Sequence, residues 1–240
     1  QLMNDNAQQQ KILLQEHLSN VSSKILSSSF RFNLTPDASR DPQKPLYSIG
    51  ATAEEFFAMQ VLCRNVKKLF KITMSSRHEI LSQLKMLLRE DKSRYYIIRT
   101  DVCHCFESIP HDKLFEYLEG NNLLDVKSKS LLRGLIRNEF ETKNLRPLIS
   151  TKKTGIPRGC AISSLLSEFY LSKIDELLRH TLPGIVFLAR YVDDIIIVVH
   201  PDLDDEHWWS LDDYVKVLTD VYIRHGLTIH TPTDGTGKCY

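Results

Sequence analysis

The sequence predicts a protein of mixed helices and strands, and three features indicate it. Apolar residues recur at helical spacing in several segments, as at Leu14, Leu18 and Val21. Two other segments, YYIIRTDV and residues 195–199, are instead rich in β-branched residues, which favour strands. A chain of 240 residues can also bury a sizeable core, as one large domain or two small ones.

The helices are predicted from apolar spacing and from boundary residues. A first amphipathic helix spans 5–27 and ends in serines, and the segment LTPDASRDPQKPL after it, with three prolines, is predicted to be a loop. Pro110 opens a short helix that ends near Gly120. The other predicted helices span 52–70, 78–89, 126–140, 163–180 and 211–225. The helix over 163–180 has an apolar stripe formed by Leu166, Phe169, Tyr170, Ile174 and Leu177.

Four segments are predicted to contain strands, one of which lies with a turn just before TGIPRG. YYIIRTDVCHCF is rich in residues that favour strands, and LTIH is a shorter candidate near the end of the sequence. IVFLARYVDDIIIVV is predicted to fold as strand, turn and strand. Its last five residues show no polar alternation, which is typical of a strand buried on both faces.

Cysteine usage and the absence of long apolar runs favour a cytoplasmic protein without a membrane partner. No run of about 18 apolar residues and no secretory signal occurs in the sequence. The five cysteines are odd in number and lack CxxC spacing, so a disulfide framework is not expected. In CHC, strand alternation would place Cys103 and Cys105 opposite His104, which argues against a shared zinc ion.

Charge is distributed unevenly along a chain whose net charge is only +1. Residues 61–77 and 143–158 each contain five basic residues and no acidic one, whereas residues 202–220 contain seven acidic residues and one lysine. Bulk coating of nucleic acid is therefore not expected. Separate basic segments are compatible either with a local phosphate-binding surface or with ordinary solvated helix faces.

Three acidic residues stand at the ends of the predicted strands. Asp101 follows YYIIRT, and the adjacent Asp193 and Asp194 precede the apolar run 195–199. Neighbouring carboxylates repel each other, and a divalent cation offsets that repulsion. Oxygen ligands of this kind suit Mg²⁺ or Mn²⁺. The alternative from spacing alone is a hairpin turn that happens to contain two aspartates.

Four motifs in a fixed order resemble those of reverse transcriptases. RTDVCHCFESIP is similar to motif A, GIPRGCAISSLLSEFYLSKID to motif B and YVDD to motif C. GLTIHTPTDGTGKCY resembles the start of motif D. The match extends from about Ser76 to Lys238, and the order and separation of the motifs make it specific.

The resemblance implies an α+β fold with the fingers and palm of a right-hand polymerase, including an antiparallel palm sheet. We expect the primer grip and thumb to lie outside these 240 residues. The expected regions are an N-terminal helix (1–33), fingers (34–100), palm motif A (101–120), a fingers–palm connection (121–158) and palm motifs B, C and D (159–240).

The resemblance also implies the catalytic residues and a two-metal mechanism. Asp101 and Asp193 would bridge two Mg²⁺ ions, with Mn²⁺ as the other suitable metal. The backbone carbonyl of Val102 would be an additional ligand, and Asp194 would support the site.

Further positions match residues that handle nucleotide and nucleic acid in the family. Phe106, five residues after Asp101, occupies the place of the sugar gate, which rejects a 2′-hydroxyl. The remaining expected nucleotide-binding residues are Arg77, Arg158, Gly159 and Lys238, and the expected primer or template contacts are Tyr191 and Ser163.

The sequence of motif B helps to indicate a branch of the reverse transcriptase family. Retron and group II intron enzymes usually have PQG followed by Ser-Pro, whereas Arg158 and Ser163-Ser164 stand here. Four segments, SSRHEILSQLKMLLRE, YYIIRTDV, FESIP and GIPRGCAISSLLSEFYL, are more similar to the abortive-infection and unknown-group reverse transcriptases of bacterial antiphage defence. Members of that branch imply that the protein uses dNTPs and an RNA template, such as a dedicated non-coding RNA. Some members prime their DNA product on a protein hydroxyl, and some form homo-oligomers. Any exposed tyrosine, Tyr240 included, is a candidate priming residue.

Two alternatives come from other classes. One is an RNA-binding scaffold with a palm that no longer catalyses, although retention of three mutually repelling carboxylates argues against it. The other is an RNA-dependent RNA polymerase, which usually has a polar pair where Phe106 stands.

Overall fold

The computed structural model describes residues 2–37, 45–90, 94–120, 124–137, 153–201 and 209–232. Helices and antiparallel sheets are mixed in it, which confirms the predicted α+β class. The helices are α1 (Leu2–Leu26), α2 (Ala53–Leu69), α3 (Arg77–Glu90), α4 (Cys105–Ser108), α5 (His111–Glu119), α6 (Val126–Arg137), α7 (Ala161–Thr181) and α8 (Leu211–Arg224). The strands are β1 (Thr35–Asp37), β2 (Leu46–Ser48), β3 (Tyr96–Asp101), β4 (Ile185–Tyr191) and β5 (Asp194–Val199).

A three-stranded antiparallel sheet in the order β3-β5-β4 carries the acidic residues. The strand predicted to be buried on both faces, β5, is central, which explains its unbroken apolar run. Ile98 and Thr100 of β3 and Ile195 and Ile197 of β5 are buried on one face. The opposite face is open at the end where Asp101 pairs with Asp194.

Helix α7 lies at the centre of the core. Ten of its residues are buried, and it packs against α2, α8 and β4. Of the predicted stripe, Leu166, Phe169, Tyr170 and Ile174 are buried, whereas Leu177 is 38% exposed. The Tyr170 hydroxyl donates to the carbonyl of His225, at the end of α8. The helix that carries motif B is thus fixed against the rest of the palm.

The N-terminal helices are less buried. α2 begins with a capping box between Thr52 and Glu55 and buries one face, but α3 buries no residue. In α1, Val21 is the buried apolar residue among those whose side chains are described. Within the described part of the chain, no helix combines the length and apolar character needed to cross a membrane.

Three local predictions differ from the structure. The proline-rich segment predicted to be a loop contributes β1 and β2, which pair with each other, and the N–H of Tyr47 in β2 donates to the carbonyl of Arg158. LTIH forms only an isolated bridge, between Ile229 and Val102. The partners of Tyr47 and Ile229, Arg158 and Val102, are distant in sequence, so local composition could not reveal these contacts.

The third difference concerns CHC. Strand β3 ends at Asp101, His104 adopts a left-handed conformation with φ of 47°, and Cys105 begins α4. The strand alternation expected across CHC is therefore absent. Among the described residues no group of three or more His, Cys, Asp or Glu side chains could hold a metal ion, so these residues give no evidence for zinc.

Candidate active site

The YVDD segment forms a tight turn between β4 and β5. β4 ends at Tyr191 and β5 begins at Asp194, so Val192 and Asp193 form a two-residue hairpin loop. Val192 has φ of 60°, a conformation that is uncommon for a β-branched residue. Two-residue hairpins require positive φ, and non-glycine residues adopt it only where the surroundings hold them there. The turn therefore needs support from the rest of the palm.

A buried arginine supplies that support. The Arg190 Nη1 atom donates to the carbonyl of Val192 at 2.8 Å, and its two Nη atoms donate to both carboxylate oxygens of Glu168, each at 2.8 Å. Its Nε donates to Asp175 at 2.9 Å. The Arg190 side chain is only 2% exposed. Since Glu168 and Asp175 belong to α7, this network ties the motif C turn to the motif B helix.

Burial and ion pairing act in opposite directions on the pKa values of this network. Burial raises the pKa of the Asp175 carboxyl, although the Arg190 guanidinium opposes that effect. Burial would lower the pKa of Arg190, but the hydrogen bond to Glu168 and the charge of Asp175 together raise it above its ordinary value. Sequence reasoning missed these three residues. The available indication was charge in apolar surroundings: Arg190 within a strand, and Glu168 and Asp175 seven residues apart on α7.

The three predicted carboxylates converge at the open end of the sheet. Asp101 and Asp194 are directly paired across β3 and β5, and the N–H of Val102 donates to the carbonyl of Asp193 at 3.2 Å. Burial raises the pKa of the Asp193 carboxyl, and the negative charges of Asp194 and Asp101 raise it further. The site therefore concentrates negative charge.

Two basic side chains lie near these acids. Arg99 Nη2 lies 3.8 Å from an oxygen of Asp194, and both side chains are about half exposed. His230 Nε2 lies 3.9 Å from an oxygen of Asp101. These separations exceed those of a tight charge-assisted hydrogen bond, about 2.7–2.9 Å. Because the charges of Asp194 and Asp101 act unfavourably on that of Asp193, an added cation would be electrostatically favoured here.

The donor set suits Mg²⁺ that is shared with a substrate. Protein side chains alone do not form a cage in the described residues, since no three His, Cys, Asp or Glu side chains are suitably gathered. Mg²⁺ is commonly held by one or two carboxylates, with waters and substrate phosphates as the other ligands. Asp101 and Asp193 with the Val102 carbonyl fit that pattern, and Asp194 on the same edge adds negative charge.

Motifs A and B meet beside these acids. Arg158 donates through Nε and Nη2 to the two carboxylate oxygens of Glu107, at 3.0 and 3.2 Å. Its guanidinium carbon also lies 5.5 Å from the centre of the Phe106 ring. The positive charge of Arg158 partly opposes the rise in the pKa of Asp193. Motifs A, B and C therefore lie close together in the structure. Sequence reasoning selected Phe106 and Arg158 but missed Glu107.

Other expected contacts have different surroundings from those predicted. Ser163 is fully buried and its hydroxyl donates to the carbonyl of Pro157 at 2.6 Å, so it holds the motif B turn and does not face a primer or template. Gly159 has φ of 92°, and a Cβ atom there would lie 2.9 Å from the carbonyl oxygen of Tyr47. The glycine is therefore required by its approach to β2, and its approach to a nucleotide stays a prediction.

The remaining predicted positions are distributed more widely. Tyr191 is 40% exposed and pairs with Asp194, and its contact with a primer or template stays a prediction. Arg77 is exposed as the first residue of α3, and its contact with a triphosphate stays a prediction. Lys238 and Tyr240 lie outside the described residues.

A sheet with carboxylates on adjacent strand ends, packed on helices, defines the class of palm-type nucleotidyltransferases. The family model described as "Reverse transcriptase (RNA-dependent DNA polymerase)" matches residues 50–232. The chain belongs to the reverse transcriptase family. The family resemblance inferred from motifs A to D is thereby confirmed.

One curated relative is an "Uncharacterized 91 kDa protein in cob intron" of Schizosaccharomyces pombe. It is 26% identical over 183 residues, which cover 67% of this chain and 21% of the relative. The chain thus spans about a fifth of that relative's length.

Solved structures of telomerases are also similar. Apo telomerase from Candida tropicalis, truncated from its C-terminal domain, has 15% identity and a TM-score of 0.45, over 86% of this chain and 50% of that one. Telomerase from Candida albicans with a fragment of telomeric RNA has 14% identity and a TM-score of 0.42, over 74% and 34% respectively.

Proposed function

We propose that this chain contains the fingers and palm of an RNA-directed DNA polymerase that joins dNTPs with the help of two Mg²⁺ ions. The observation that carries the proposal is the convergence of Asp101, Asp193 and Asp194 on paired strand ends, where mutual repulsion and burial raise the pKa of Asp193. Membership of the reverse transcriptase family supports the same chemistry.

The ions, when bound, would activate a primer 3′-hydroxyl and neutralise charge on the departing pyrophosphate. Asp101 and Asp193 would hold them together with the Val102 carbonyl, while Asp194 would add negative charge at the same edge. The Phe106 ring would lie under the sugar of the incoming nucleotide. Arg190 would keep the turn that carries Asp193 in place through its hydrogen bond to Val192.

The sharpest test replaces one carboxylate without changing its shape. We expect Asp193→Asn to abolish primer extension on an RNA template with dNTPs and Mg²⁺, because an amide is a far weaker metal ligand. The matched control is Asp112→Asn, at an exposed position in α5, which should extend the primer like the wild-type protein. Extension by Asp193→Asn at the wild-type rate would disprove the proposed mechanism.

A second measurement is independent of turnover. Ligands that bind only the folded state raise the melting temperature. We therefore expect Mg²⁺ to stabilise the wild-type protein more than Asp193→Asn. Equal stabilisation of the two proteins would show that Asp193 does not hold the ion.

The same assay distinguishes the alternative functions. Incorporation of dNTPs but not NTPs supports the DNA polymerase, and the reverse preference would support an RNA polymerase. A protein that binds RNA but incorporates neither, although its melting temperature responds to Mg²⁺, would support a scaffold that no longer catalyses.

We further propose, from the sequence of motifs A and B and of the helix before them, that the protein acts in the cytoplasm of a bacterium in antiphage defence. Arg158 and Ser163-Ser164 support this branch, whereas the matched relative in Schizosaccharomyces pombe gives it no support. Expression in a phage-sensitive bacterium should reduce plaque numbers, and the Asp193→Asn variant should not. Equal plaque numbers with and without the wild-type protein would refute this role.

The proposed partners are a dedicated non-coding RNA template, a DNA product primed on a protein hydroxyl, and further copies of the chain. Sequencing of co-purified nucleic acid would identify the template. Intact-mass measurement would detect nucleotides attached to the protein, and light scattering would give the oligomeric state. An unmodified monomer without bound RNA would exclude all three.

A further inference from the structure

We propose that the Glu107–Arg158 ion pair positions the Phe106 ring and so sets how strictly the site rejects a 2′-hydroxyl. The inference rests on the proposed polymerase function, but it concerns the selection of the sugar and not the joining chemistry. Glu107 would thus be a specificity-determining residue that never touches the nucleotide.

Arg158 and Glu107 form a bidentate ion pair. Nε of Arg158 donates to one oxygen of Glu107 at 3.0 Å, Nη2 donates to the other at 3.2 Å, and Nη2 also lies 2.9 Å from the first oxygen. Two parallel contacts fix the plane of a guanidinium as well as its position. The guanidinium carbon lies over the Phe106 ring, 5.5 Å from its centre, which is within cation–π distance. A guanidinium held in one position therefore gives the ring a fixed neighbour.

The backbone on both sides of the pair is also held. Phe106 accepts a hydrogen bond from the N–H of Ile156 at 2.7 Å, and Arg158 accepts one from the N–H of Tyr47 at 2.7 Å. The hydrogen bond from Ile156 to Phe106 therefore joins motif B to motif A beside the Phe106 ring. With the backbone fixed, the side-chain position of Phe106 depends mainly on what packs against its ring.

The exposure of the pair separates this role from a purely structural one. The Arg158 and Glu107 side chains are 34% and 37% exposed, and partly solvated ion pairs contribute little to stability. Arg190 provides the contrast, since its side chain is 2% exposed. Loss of the Glu107–Arg158 pair should therefore leave the fold intact, while the ring keeps its contact with the hydrophobic core and loses the guanidinium beside it.

Arg158 also affects the catalytic carboxylate, so the test must separate charge from geometry. Burial raises the pKa of Asp193, and the charge of Arg158 partly opposes that rise. Arg158→Lys keeps the positive charge but removes the planar guanidinium, and Glu107→Gln replaces one of the two acceptor oxygens by an NH2 group that cannot accept the second hydrogen bond. A geometric role predicts that both variants lose sugar selectivity.

The experiment measures kcat/KM for one dNTP and the matching NTP on a fixed primer and RNA template with Mg²⁺. We expect the ratio of the two values to fall about tenfold in Arg158→Lys and in Glu107→Gln, since small displacements at a reacting centre have effects of that order or larger. The control is Glu119→Gln, which breaks the exposed ion pair between Glu119 and Arg133 on α5 and α6. Its ratio should equal that of the wild-type protein.

A double-mutant cycle assigns the effect to the ring. Phe106→Ala should admit ribonucleotides by itself, and addition of Arg158→Lys to it should cause no further loss of selectivity. Melting temperatures of Arg158→Lys and Glu107→Gln should stay near that of the wild-type protein.

Each outcome has a distinct meaning. Selectivity that stays at the wild-type value in both Glu107→Gln and Arg158→Lys would overturn the inference while dNTP extension continues to support the proposed function. Equal losses for dNTP and NTP would also overturn it, because they indicate that Arg158 contacts the triphosphate. Failure of the wild-type protein to extend with dNTPs would refute the proposed function itself.

Discussion

Helices α7 and α3 illustrate two ways in which an amphipathic segment is used in this molecule. α7 buries ten residues and lies at the centre of the core, whereas α3 buries none, and its Leu81, Met86 and Leu88 are between 42% and 61% exposed. Apolar spacing predicted both helices. The pattern shows which face of a helix is apolar, but it does not show whether another element covers that face.

The contrast extends to the regions that contain these helices. The strands and helices of the palm share one continuous core, while α1 leaves Ile12, Leu13 and Leu14 more than half exposed. Substitutions should therefore have effects that decrease from the centre of the palm towards the exposed helices.

The largest effect is expected at the buried arginine. Arg190→Met should lower the free energy of unfolding by about 3–5 kcal/mol, because it leaves the carboxylates of Glu168 and Asp175 buried without their cation. Denaturant unfolding followed by circular dichroism measures this change. The control, Arg133→Met at an exposed pair, should change stability by about 0–1 kcal/mol. Similar losses in the two variants would contradict the distinction.

The next effect is expected in the apolar core of α7. Ile174 is fully buried, so Ile174→Ala should lower the free energy of unfolding by about 2–5 kcal/mol through lost burial and a residual cavity. The same denaturant experiment gives the value. A loss below about 1 kcal/mol would mean that the core around α7 is looser than the structure shows.

A moderate effect is expected where α2 begins. Thr52 accepts a hydrogen bond from the N–H of Glu55, and the Glu55 carboxylate accepts one from the N–H of Thr52. Thr52→Ala should therefore cost about 0.5–2 kcal/mol of stability. Thr52→Ser, which keeps the hydroxyl, should be close to wild type in thermal melts. Equal melting temperatures for the alanine and wild-type proteins would argue against this cap.

The smallest effect is expected on α3. Leu81 is 47% exposed, so Leu81→Ala should change the free energy of unfolding by no more than about 0.5 kcal/mol. If Leu81→Ala instead cost as much as Ile174→Ala in the purified protein, the exposed face of α3 would have to be covered in solution, and the comparison between the two helices would fail.

Much of the candidate active site could be predicted because its residues lie in short sequence motifs. The three aspartates, Phe106 and Arg158 were recognised from their order along the chain, and the structure brings them to one end of the palm sheet. The helix boundaries were also predicted closely, since they depend on local spacing and capping residues.

The supporting residues could not be predicted in this way. Arg190 meets Glu168 and Asp175 across 22 and 15 residues of sequence, and Glu107 meets Arg158 across 51. Ser163, expected at the nucleic acid, is instead buried against the motif B turn. Such partners depend on how the helices pack on the sheet, which local patterns do not contain.

The sequence by itself determined the family, the order of the motifs, the identity of the three carboxylates and the strand that is buried on both faces. Only the tertiary structure decided which side chains hold those carboxylates in place and which apolar faces are covered. The physical reason is that helix and strand patterns arise from neighbours a few residues apart. A buried ion pair or a covered face instead requires groups from distant segments to meet.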